Sequence, residues 1–166
     1  MRVAILTVSD LGARGERADT SGDAVAVWVA SLPNAIVTAR TIVPDDTVKI
    51  VQQLTRWCDS NDVDLVLTTG GTGLSARDVT PEATRAVIER EAQGIAERIR
   101  HVTGEHFPRA ALSRGVAGVR NRTLIINLPG STNGVVESLA AFTPIAQHAV
   151  DILTGAATDH RTGATP

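Results

Sequence analysis

Residues 67–82, LTTGGTGLSARDVTPE, run from an apolar segment through three glycines to an Arg-Asp pair and then to Thr-Pro-Glu. The apolar segment, which begins at residue 64, is short and predicts a buried strand. Thr80, Pro81 and Glu82 predict the start of a helix, because a hydroxyl suits the N-cap, proline the first helical position and an acid the first turn. The stretch therefore predicts a strand, a glycine-rich loop and a helix in direct succession.

The same alternation extends over the rest of the chain. Aliphatic runs predict strands at 2–8, 35–43, 64–68, 116–119 and 124–127. Helical spacing predicts helices at 22–32, at 47–59 and from residue 131 to about residue 153. Strands that alternate with helices predict an α/β fold with a mostly parallel sheet, covered by helices on both faces.

Three details of the helices depend on single residues. Asp46 is a candidate N-cap for the helix over 47–59. We expect the helix that starts at Thr80 to continue past Gly94 through Ile99. Pro144 is expected to divide the last helix into two pieces, because proline in a helix interior removes a hydrogen bond.

The composition excludes several classes of protein. A chain of 166 residues is the size of one domain, which we place at residues 1–155, followed by a loose polar tail at 156–166. The net charge is −2 and the aromatic content 2%, which argues against a nucleic-acid-binding surface. Cys58 is predicted in the core, and the four histidines lack metal-ligand spacing. With no apolar run long enough to span a membrane, we expect a cytoplasmic protein.

Polar or glycine-rich residues follow each predicted strand that enters a helix or loop. In open α/β sheets, ligands bind outside the carboxyl ends of the strands. The topology is therefore expected to gather these clusters at one edge of the sheet: Ser9-Asp10, Asp45-Asp46, the loop 70–78 and the turn Pro129-Gly130-Ser131.

The glycine-rich loop suits an anion, because glycines let backbone N–H groups approach a ligand closely and adopt positive φ. The sequence lacks the Gly-Lys-Ser/Thr ending of a Walker A loop and is not GxGxxG. A tight turn between strand and helix is the alternative interpretation. The Pro129-Gly130-Ser131 turn, which precedes a helix, suits either a second phosphate group or simple capping by Ser131 or Thr132.

Two acids indicate a metal ion beside that anion. A carboxylate next to a phosphate repels it unless a cation lies between them, and Mg²⁺ commonly takes one or two carboxylates plus phosphate oxygens. Asp45 and Asp78 are the candidates. The alternatives are a turn with an N-cap at 44–46, and a surface ion pair or helix-start acid for Asp78. Ser113-Arg114 offers a hydroxyl and a guanidinium, for which exposure to solvent is the simpler interpretation.

The motifs LTTGGTG and RDVTPEAT, with NLPGS some fifty positions later, resemble the molybdopterin adenylyltransferase family of molybdenum cofactor biosynthesis, which includes the plant and gephyrin G domains. The resemblance covers nearly the whole chain. It implies a three-layer α/β/α fold, a homotrimer, Mg²⁺, ATP and molybdopterin as substrates, and an insertase that receives the product. The implied reaction is attack of the terminal phosphate of molybdopterin on the α-phosphate of ATP, with release of pyrophosphate.

The resemblance also implies roles for particular residues. Asp45 and Asp78 match the two essential acids, as catalytic residues and metal ligands. Other positions match the lining of the substrate and nucleotide sites: Ser9, Thr69, Gly70, Gly71, Thr72, Gly73, Ser113, Asn127, Pro129, Gly130 and Ser131. Thr132-Asn133-Gly134 departs from many relatives, which have Pro or Lys after the serine, and the loss of a Lys would weaken one phosphate contact. A pterin-binding paralogue without catalysis, acting as a carrier or scaffold, and a nucleotide pyrophosphatase on the same fold are the alternatives.

Overall fold

The aliphatic runs form one six-stranded sheet in the computed structural model, which describes residues 1–156. The strands are β1 (Arg2–Val8), β2 (Ile36–Val43), β3 (Leu65–Thr69), β4 (Arg90–Glu91), β5 (Ala117–Arg120) and β6 (Thr123–Leu128). The helices are α1 (Asp10–Ala13), α2 (Thr20–Ser31), α3 (Thr47–Asp59), α4 (Thr80–Arg85), α5 (Gln93–Gly104) and α6 (Thr132–Thr154), with a 3₁₀ helix at Pro108–Leu112.

The sheet is mostly parallel, as predicted. Its strand order is β2-β1-β3-β6-β5-β4. The strands β2, β1, β3 and β6 run parallel, whereas β5 pairs antiparallel with β6 and β4 antiparallel with β5. The parallel strands end at the same edge of the sheet, and β3 and β6 are buried along their whole length.

Alternate residues of the central strands face two separate hydrophobic cores. Val3 and Ile5 of β1 belong to the core under α2, α5 and α6, whereas Ala4 and Leu6 belong to the core under α3 and α4. This is the period of two that a strand covered on both sides requires. Cys58 lies in the second core as predicted, where burial raises the pKa of its thiol to about 12. The three-layer α/β/α arrangement is therefore confirmed.

The helix predicted to continue through residue 99 is interrupted. α4 ends at Arg85, and the chain forms β4 before α5 begins. The Glu89 N–H donates to the Val119 carbonyl at 2.8 Å, so a sheet hydrogen bond replaces a helical one. The prediction was wrong because the apolar residues keep a helical spacing in the sequence, whereas the backbone at 89–91 forms hydrogen bonds with the edge of β5.

Pro144 does not divide the last helix. α6 runs unbroken with Pro144 inside it. Pro144 and Ala140, whose carbonyl loses its helical donor, are both exposed, so water can satisfy that carbonyl. Phe142 and Ala146, on either side of the proline, are buried against the sheet. Packing on the buried face therefore keeps the helix continuous.

The other differences at element ends are small. α2 begins at Thr20 rather than at residue 22, because the Asp19 carboxylate accepts a hydrogen bond from the Gly22 N–H at 2.9 Å and caps the helix. Asp46 caps α3 as predicted, accepting from the Lys49 N–H at 3.0 Å. The helix α1 and the 3₁₀ helix were not predicted.

Within residues 1–156, no helix has the length and apolar character needed to cross a membrane. All the described strands join the one sheet. The polar tail predicted at 156–166 lies outside the described residues, except for its first position, so the domain limits stay a prediction.

Candidate active site

The four predicted clusters meet at the carboxyl edge of the parallel strands. The Ser9 N–H donates to the Val43 carbonyl at 2.9 Å, which joins the segment after β1 to the end of β2. The Gly70 N–H donates to the Leu128 carbonyl at 3.3 Å and joins the glycine loop to the end of β6. The gathering of these clusters at one edge, predicted from topology alone, is confirmed.

The first glycines of the loop occupy positions that admit no side chain. Gly70 and Gly71 have φ of +90° and +64°. A Cβ at Gly70 would lie 2.3 Å from the Val8 carbonyl oxygen, and one at Gly71 would lie 2.3 Å from Thr80 Oγ1. The loop can therefore turn this tightly against β1 and α4 only with glycine at both positions.

The carbonyls of residues 70–73 in the loop all accept hydrogen bonds, whereas the amides of residues 71–73 donate none among the described residues. Thr80 donates from Oγ1 to the carbonyl of residue 70 at 2.9 Å and from its N–H to that of residue 71 at 3.1 Å. Arg114 donates from its N–H to the carbonyl of residue 72 at 2.9 Å and from Nε to that of residue 73 at 2.7 Å. No acceptor within residues 1–156 takes the amides of Gly71, Thr72 and Gly73. Free N–H groups in succession have the chemistry that suits a bound anion.

Thr80 therefore differs from its predicted role. The N-terminal cap position of α4 is held by Val79, which makes no side-chain capping bond. The Thr80 hydroxyl is buried and bonds the glycine loop instead. The sequence predicted the start of the helix correctly and assigned the hydroxyl to the wrong partner.

Asp45 and Asp78 lie against the loop, one near each end of the amide series. Asp45 Oδ1 is 3.3 Å from the position that a Cβ on Gly71 would take, and Asp78 Oδ2 is 3.0 Å from the corresponding position on Gly73. Asp45 Oδ2 accepts from the Asp10 N–H at 2.9 Å, and Asp78 Oδ2 from the Ser75 N–H at 2.9 Å. Each carboxylate thus keeps Oδ1 without a hydrogen-bond donor among the described residues.

Asp10 is hydrogen-bonded to Asp45 and to Arg77. Its carboxylate pairs with Arg77 at 2.6 Å, and it accepts from the Asp45 N–H at 3.0 Å. The pKa of the Asp10 carboxyl is lowered, first by the Arg77 hydrogen bond. The pKa of the Asp45 carboxyl is raised, first by burial and further by the charges of Asp10 and Asp78. Arg77, the sequence neighbour of Asp78, therefore neutralises Asp10 and leaves a negative site that a cation would stabilise.

Arg114 is bonded within the protein, although solvation was the simpler expectation. Besides the two loop carbonyls, its Nη2 donates to the Asp78 carbonyl at 2.5 Å, and its Nη1 pairs with Glu82. The pKa of the Glu82 carboxyl is lowered by that arginine. Ser113 lies beside it, where its Oγ accepts from the Gly115 N–H at 3.3 Å.

Two cavities open on either side of the loop. The first, of about 340 Å³, has an apolar wall formed by Ile99, Phe107 and Leu112. The second, of about 310 Å³, is lined mainly by hydroxyl groups and charged side chains, among them Arg17 and Asp19. The backbone between the cavities is shared, because residues Gly71, Gly130 and Ser131 line both.

Every residue that the resemblance assigned to the site lines one of these cavities. The first cavity has Asp78 with Thr72, Gly73, Ser113, Asn127 and Pro129. The second has Asp45 with Ser9, Thr69 and Gly70. The roles of these residues toward ligands stay predictions.

Asn127 and Thr69 are buried site residues whose side chains are hydrogen-bonded to other buried groups of the protein. Asn127 Nδ2 donates to Thr68 Oγ1 at 3.0 Å and to Thr84 Oγ1 at 2.9 Å, and its Oδ1 accepts from the Val116 N–H at 3.2 Å. Thr69 Oγ1 shares a hydrogen bond of 2.8 Å with Ser21. These buried side chains support the floor of the cavities.

The sequence did not indicate the apolar wall of the first cavity or Arg17 in the second. Phe107 and Leu112 come from the 3₁₀ segment and its start, and Ile99 comes from α5. None of them follows a parallel strand, so the strand-end rule could not find them. The nearest signal is Phe107-Pro108, which marks the end of α5 and the start of an irregular segment.

A magnesium ion fits the donors at the junction of the cavities. Within residues 1–156, no group of three or more His, Cys, Asp or Glu side chains is placed to hold a metal. The protein offers two carboxylates, and Mg²⁺ is bound by one or two carboxylates when phosphate oxygens and waters complete its shell. Asp45 and Asp78 are the residues that would hold it.

A loop of free amides at a parallel-strand edge, between two carboxylates, is typical of an α/β domain that binds phosphorylated ligands. Residues 4–148 match the family described as a probable molybdopterin binding domain, and the chain belongs to that family.

Relatives extend over nearly the whole chain. Molybdopterin adenylyltransferase of Helicobacter pylori strain J99 is 38% identical over 156 residues, 93% of this chain and 89% of that protein. The enzyme of the same name from Escherichia coli K12 is 38% identical over 140 residues, 84% of this chain and 72% of that protein. The crystal structure of the molybdopterin biosynthesis enzyme MoaB from Thermus thermophilus is 53% identical, with a TM-score of 0.88 over 93% of this chain and 96% of that one. The resemblance read from the motifs is confirmed.

Proposed function

We propose that the protein is a molybdopterin adenylyltransferase, which uses Mg-ATP to adenylylate molybdopterin in molybdenum cofactor biosynthesis. The observation that supports this most directly is the loop at 70–73, whose carbonyls are all bonded and whose free amides lie between Asp45 and Asp78. Successive free amides suit phosphate groups, and Gly71 faces both cavities. A reaction between two phosphorylated substrates needs this arrangement at the junction of two sites.

The two cavities fit the two substrates differently. The apolar wall of the first cavity suits the fused rings of a pterin, with its phosphate directed toward the loop. The second cavity suits a polyphosphate, because Arg17 lines it and has no ion pair or hydrogen bond among the described residues. We assign molybdopterin to the first cavity and the phosphates of ATP to the second.

The chemistry at the loop is a nucleotidyl transfer. A terminal phosphate oxygen of molybdopterin forms a bond to the α-phosphorus of ATP, the bond from that phosphorus to the β-phosphate oxygen breaks, and pyrophosphate leaves with the electron pair. The loop amides orient the phosphates in line and stabilise the negative charge of the transition state. No covalent bond to the protein is required. When bound, Mg²⁺ supplies further neutralisation of the phosphate charge.

Asp45 and Asp78 contribute differently to this reaction. Asp78 lines the pterin cavity and Asp45 the nucleotide cavity, so one carboxylate belongs to each substrate. Burial and the neighbouring acids raise the pKa of Asp45. The protein therefore tolerates an ionised Asp45 poorly by itself and favours a bound cation there.

The test is direct. Purified protein is incubated with molybdopterin, Mg²⁺ and ATP, and adenylylated molybdopterin and pyrophosphate are quantified. We expect both products in equal amounts. Molybdopterin binding without ATP consumption would instead identify the non-catalytic carrier, and release of nucleoside monophosphate from ADP-ribose would identify the pyrophosphatase.

Other features implied by the family resemblance belong to the same proposal. They are assembly as a homotrimer, delivery of the product to a molybdenum insertase and a cytoplasmic location. Sedimentation of the purified protein at several concentrations tests the first of these, with a mass of three chains expected.

A further inference from the structure

Arg114 joins the two ends of the segment that separates the glycine loop from α4. Its Nε donates to the Gly73 carbonyl at 2.7 Å, before the segment, and its Nη2 to the Asp78 carbonyl at 2.5 Å, after it. Its Nη1 pairs with Glu82 in α4. The exposed segment 74–77 therefore begins and ends next to the same guanidinium group.

Few other contacts fix the position of Asp78. The Asp78 N–H donates to the Ser75 carbonyl at 3.0 Å, and its carboxylate accepts from the Ser75 N–H at 2.9 Å. Both bonds lie inside the segment and would move with it. Leu74 is 67% exposed, so packing does not anchor the segment either. Arg77 pairs with Asp10, which lies outside the segment, at 2.6 Å, and Thr80 bonds the carbonyls of residues 70 and 71. Among the described residues, Arg114 is the side chain that bonds the carbonyls of both Gly73 and Asp78.

Arg114 is not placed to bind a phosphate itself. All three of its guanidinium nitrogens donate to protein oxygens. Arg114 lines a third depression, together with Arg85 and Glu97. It does not line either of the two cavities beside the loop. Its influence on a ligand must therefore pass through the loop.

We propose that Arg114 is a positioning residue for the transfer reaction, which sets the distance between the Asp78 carboxylate and the free amides of residues 71–73. This inference rests on the proposed adenylyl transfer. The planar guanidinium reaches two carbonyls and a carboxylate at once, which a lysine ammonium cannot reproduce in the same geometry. Because a displacement of about 1 Å can cost roughly 100-fold in rate, the effect falls on turnover.

Arg114→Lys tests this inference against a matched control, Arg120→Lys. Arg120 makes the same kinds of contact away from the site, with Nε and Nη2 on the Asp59 carboxylate and Nη1 on the Val87 carbonyl. Its side chain is 26% exposed, against 32% for Arg114. The experiment measures kcat, the KM for each substrate, the Mg²⁺ concentration for half-maximal rate and the unfolding temperature of the full chain.

Arg114→Lys is expected to lower kcat by roughly 10- to 100-fold and to raise the Mg²⁺ requirement, with the KM for molybdopterin and for ATP little changed. Arg120→Lys is expected to keep wild-type kcat. Equal kcat losses in the two variants, or a loss confined to KM, would overturn the inference. Inactive wild-type protein counts against the proposed function instead, which keeps the two failures separate.

Glu82→Gln provides a second variant, which separates the charge pair with Glu82 from the bonds to the two carbonyls. It removes the charge pair with Arg114 and keeps an oxygen that can accept, while both backbone carbonyls remain available. Hydrogen exchange of the amides in segment 71–78 is compared in the two variants. Faster exchange in Arg114→Lys than in Glu82→Gln supports positioning through the carbonyls, and equal exchange contradicts it.

Discussion

The two cavities beside the glycine loop are similar in size and opposite in character. One has Ile99, Phe107 and Leu112 in its wall, and the other has hydroxyl groups with Arg17 and Asp19. Each contains one of the two loop carboxylates. Under the proposed function, the difference separates binding from chemistry: each wall would select its own ligand, while the reaction would take place at the backbone that the cavities share.

The largest expected effect comes from the carboxylates at the junction. Asp78→Asn and Asp45→Asn should each lower the rate of adenylyl transfer at least about 100-fold, because each removes a charge needed to hold the metal beside the phosphates. Product formation with Mg²⁺, ATP and molybdopterin measures this. If either variant keeps full activity, its cavity does not contribute a metal ligand.

Asp46→Asn is the matched control for both variants. Asp46 is adjacent to Asp45, is exposed, and caps α3 through the Lys49 N–H. Asparagine caps helices about as well as aspartate does. We expect this variant to keep wild-type turnover, so a loss would show that removal of any acid near the site is harmful.

A smaller effect should distinguish the two walls. Phe107→Ala is expected to raise the KM for molybdopterin about 5- to 10-fold, because an aromatic contact is worth roughly 1 kcal/mol, and to leave the KM for ATP unchanged. Arg17→Gln is expected to do the reverse, because a charged hydrogen bond is worth about 1.5 kcal/mol or more. Initial rates with one substrate varied and the other saturating measure both.

The proposal that each cavity wall binds a different substrate would be contradicted if one substitution changed the KM for both substrates. If Phe107→Ala raises the KM for both substrates equally, the ring supports the fold of the junction and not one ligand. If Phe107→Ala affects only ATP, the assignment of the two substrates to the cavities is reversed.

The smallest expected effect is on the unfolding temperature, because ionisation of Asp45 destabilises the folded protein. Because its pKa is raised in the folded protein, ionisation opposes folding at neutral pH, and this opposition disappears as the pH falls below the ordinary value of 3.8. Asp45→Asn should therefore raise the unfolding temperature at pH 7 by a few degrees at most, and by less near pH 4. Thermal unfolding without ligands measures this.

Asp64 is a control whose pKa is shifted in the opposite direction, so its ionised form stabilises the folded protein. Arg2 lowers the pKa of its carboxyl despite burial, with contacts of 2.7 and 2.8 Å. Its ionised form stabilises the folded protein above the ordinary pKa of 3.8, and this contribution is lost as the pH falls through the lowered value. Asp64→Asn should lower the unfolding temperature at pH 7. An equal decrease of the unfolding temperature in Asp45→Asn would contradict the expectation that the ionised Asp45 destabilises the folded protein.

The strands and the gathering of the site at their ends could be predicted because both depend on local patterns. Aliphatic runs predicted β1, β3 and β6, and parallel topology then placed Asp45 near the glycine loop. Arg114 could not be predicted in this way, because its partners lie 32 to 41 residues away in sequence. Arg114 follows the 3₁₀ helix at Pro108–Leu112, which was not predicted.

Gly70 limits how the specificity of this protein can be altered. A Cβ there would lie 2.3 Å from the Val8 carbonyl oxygen, so the loop admits no side chain at this position of the second cavity, next to the backbone that both cavities share. A redesigned variant that accepts another nucleotide or another ring must therefore change residues in the outer walls. Selectivity can diverge in this protein while the backbone at the reaction centre remains the same.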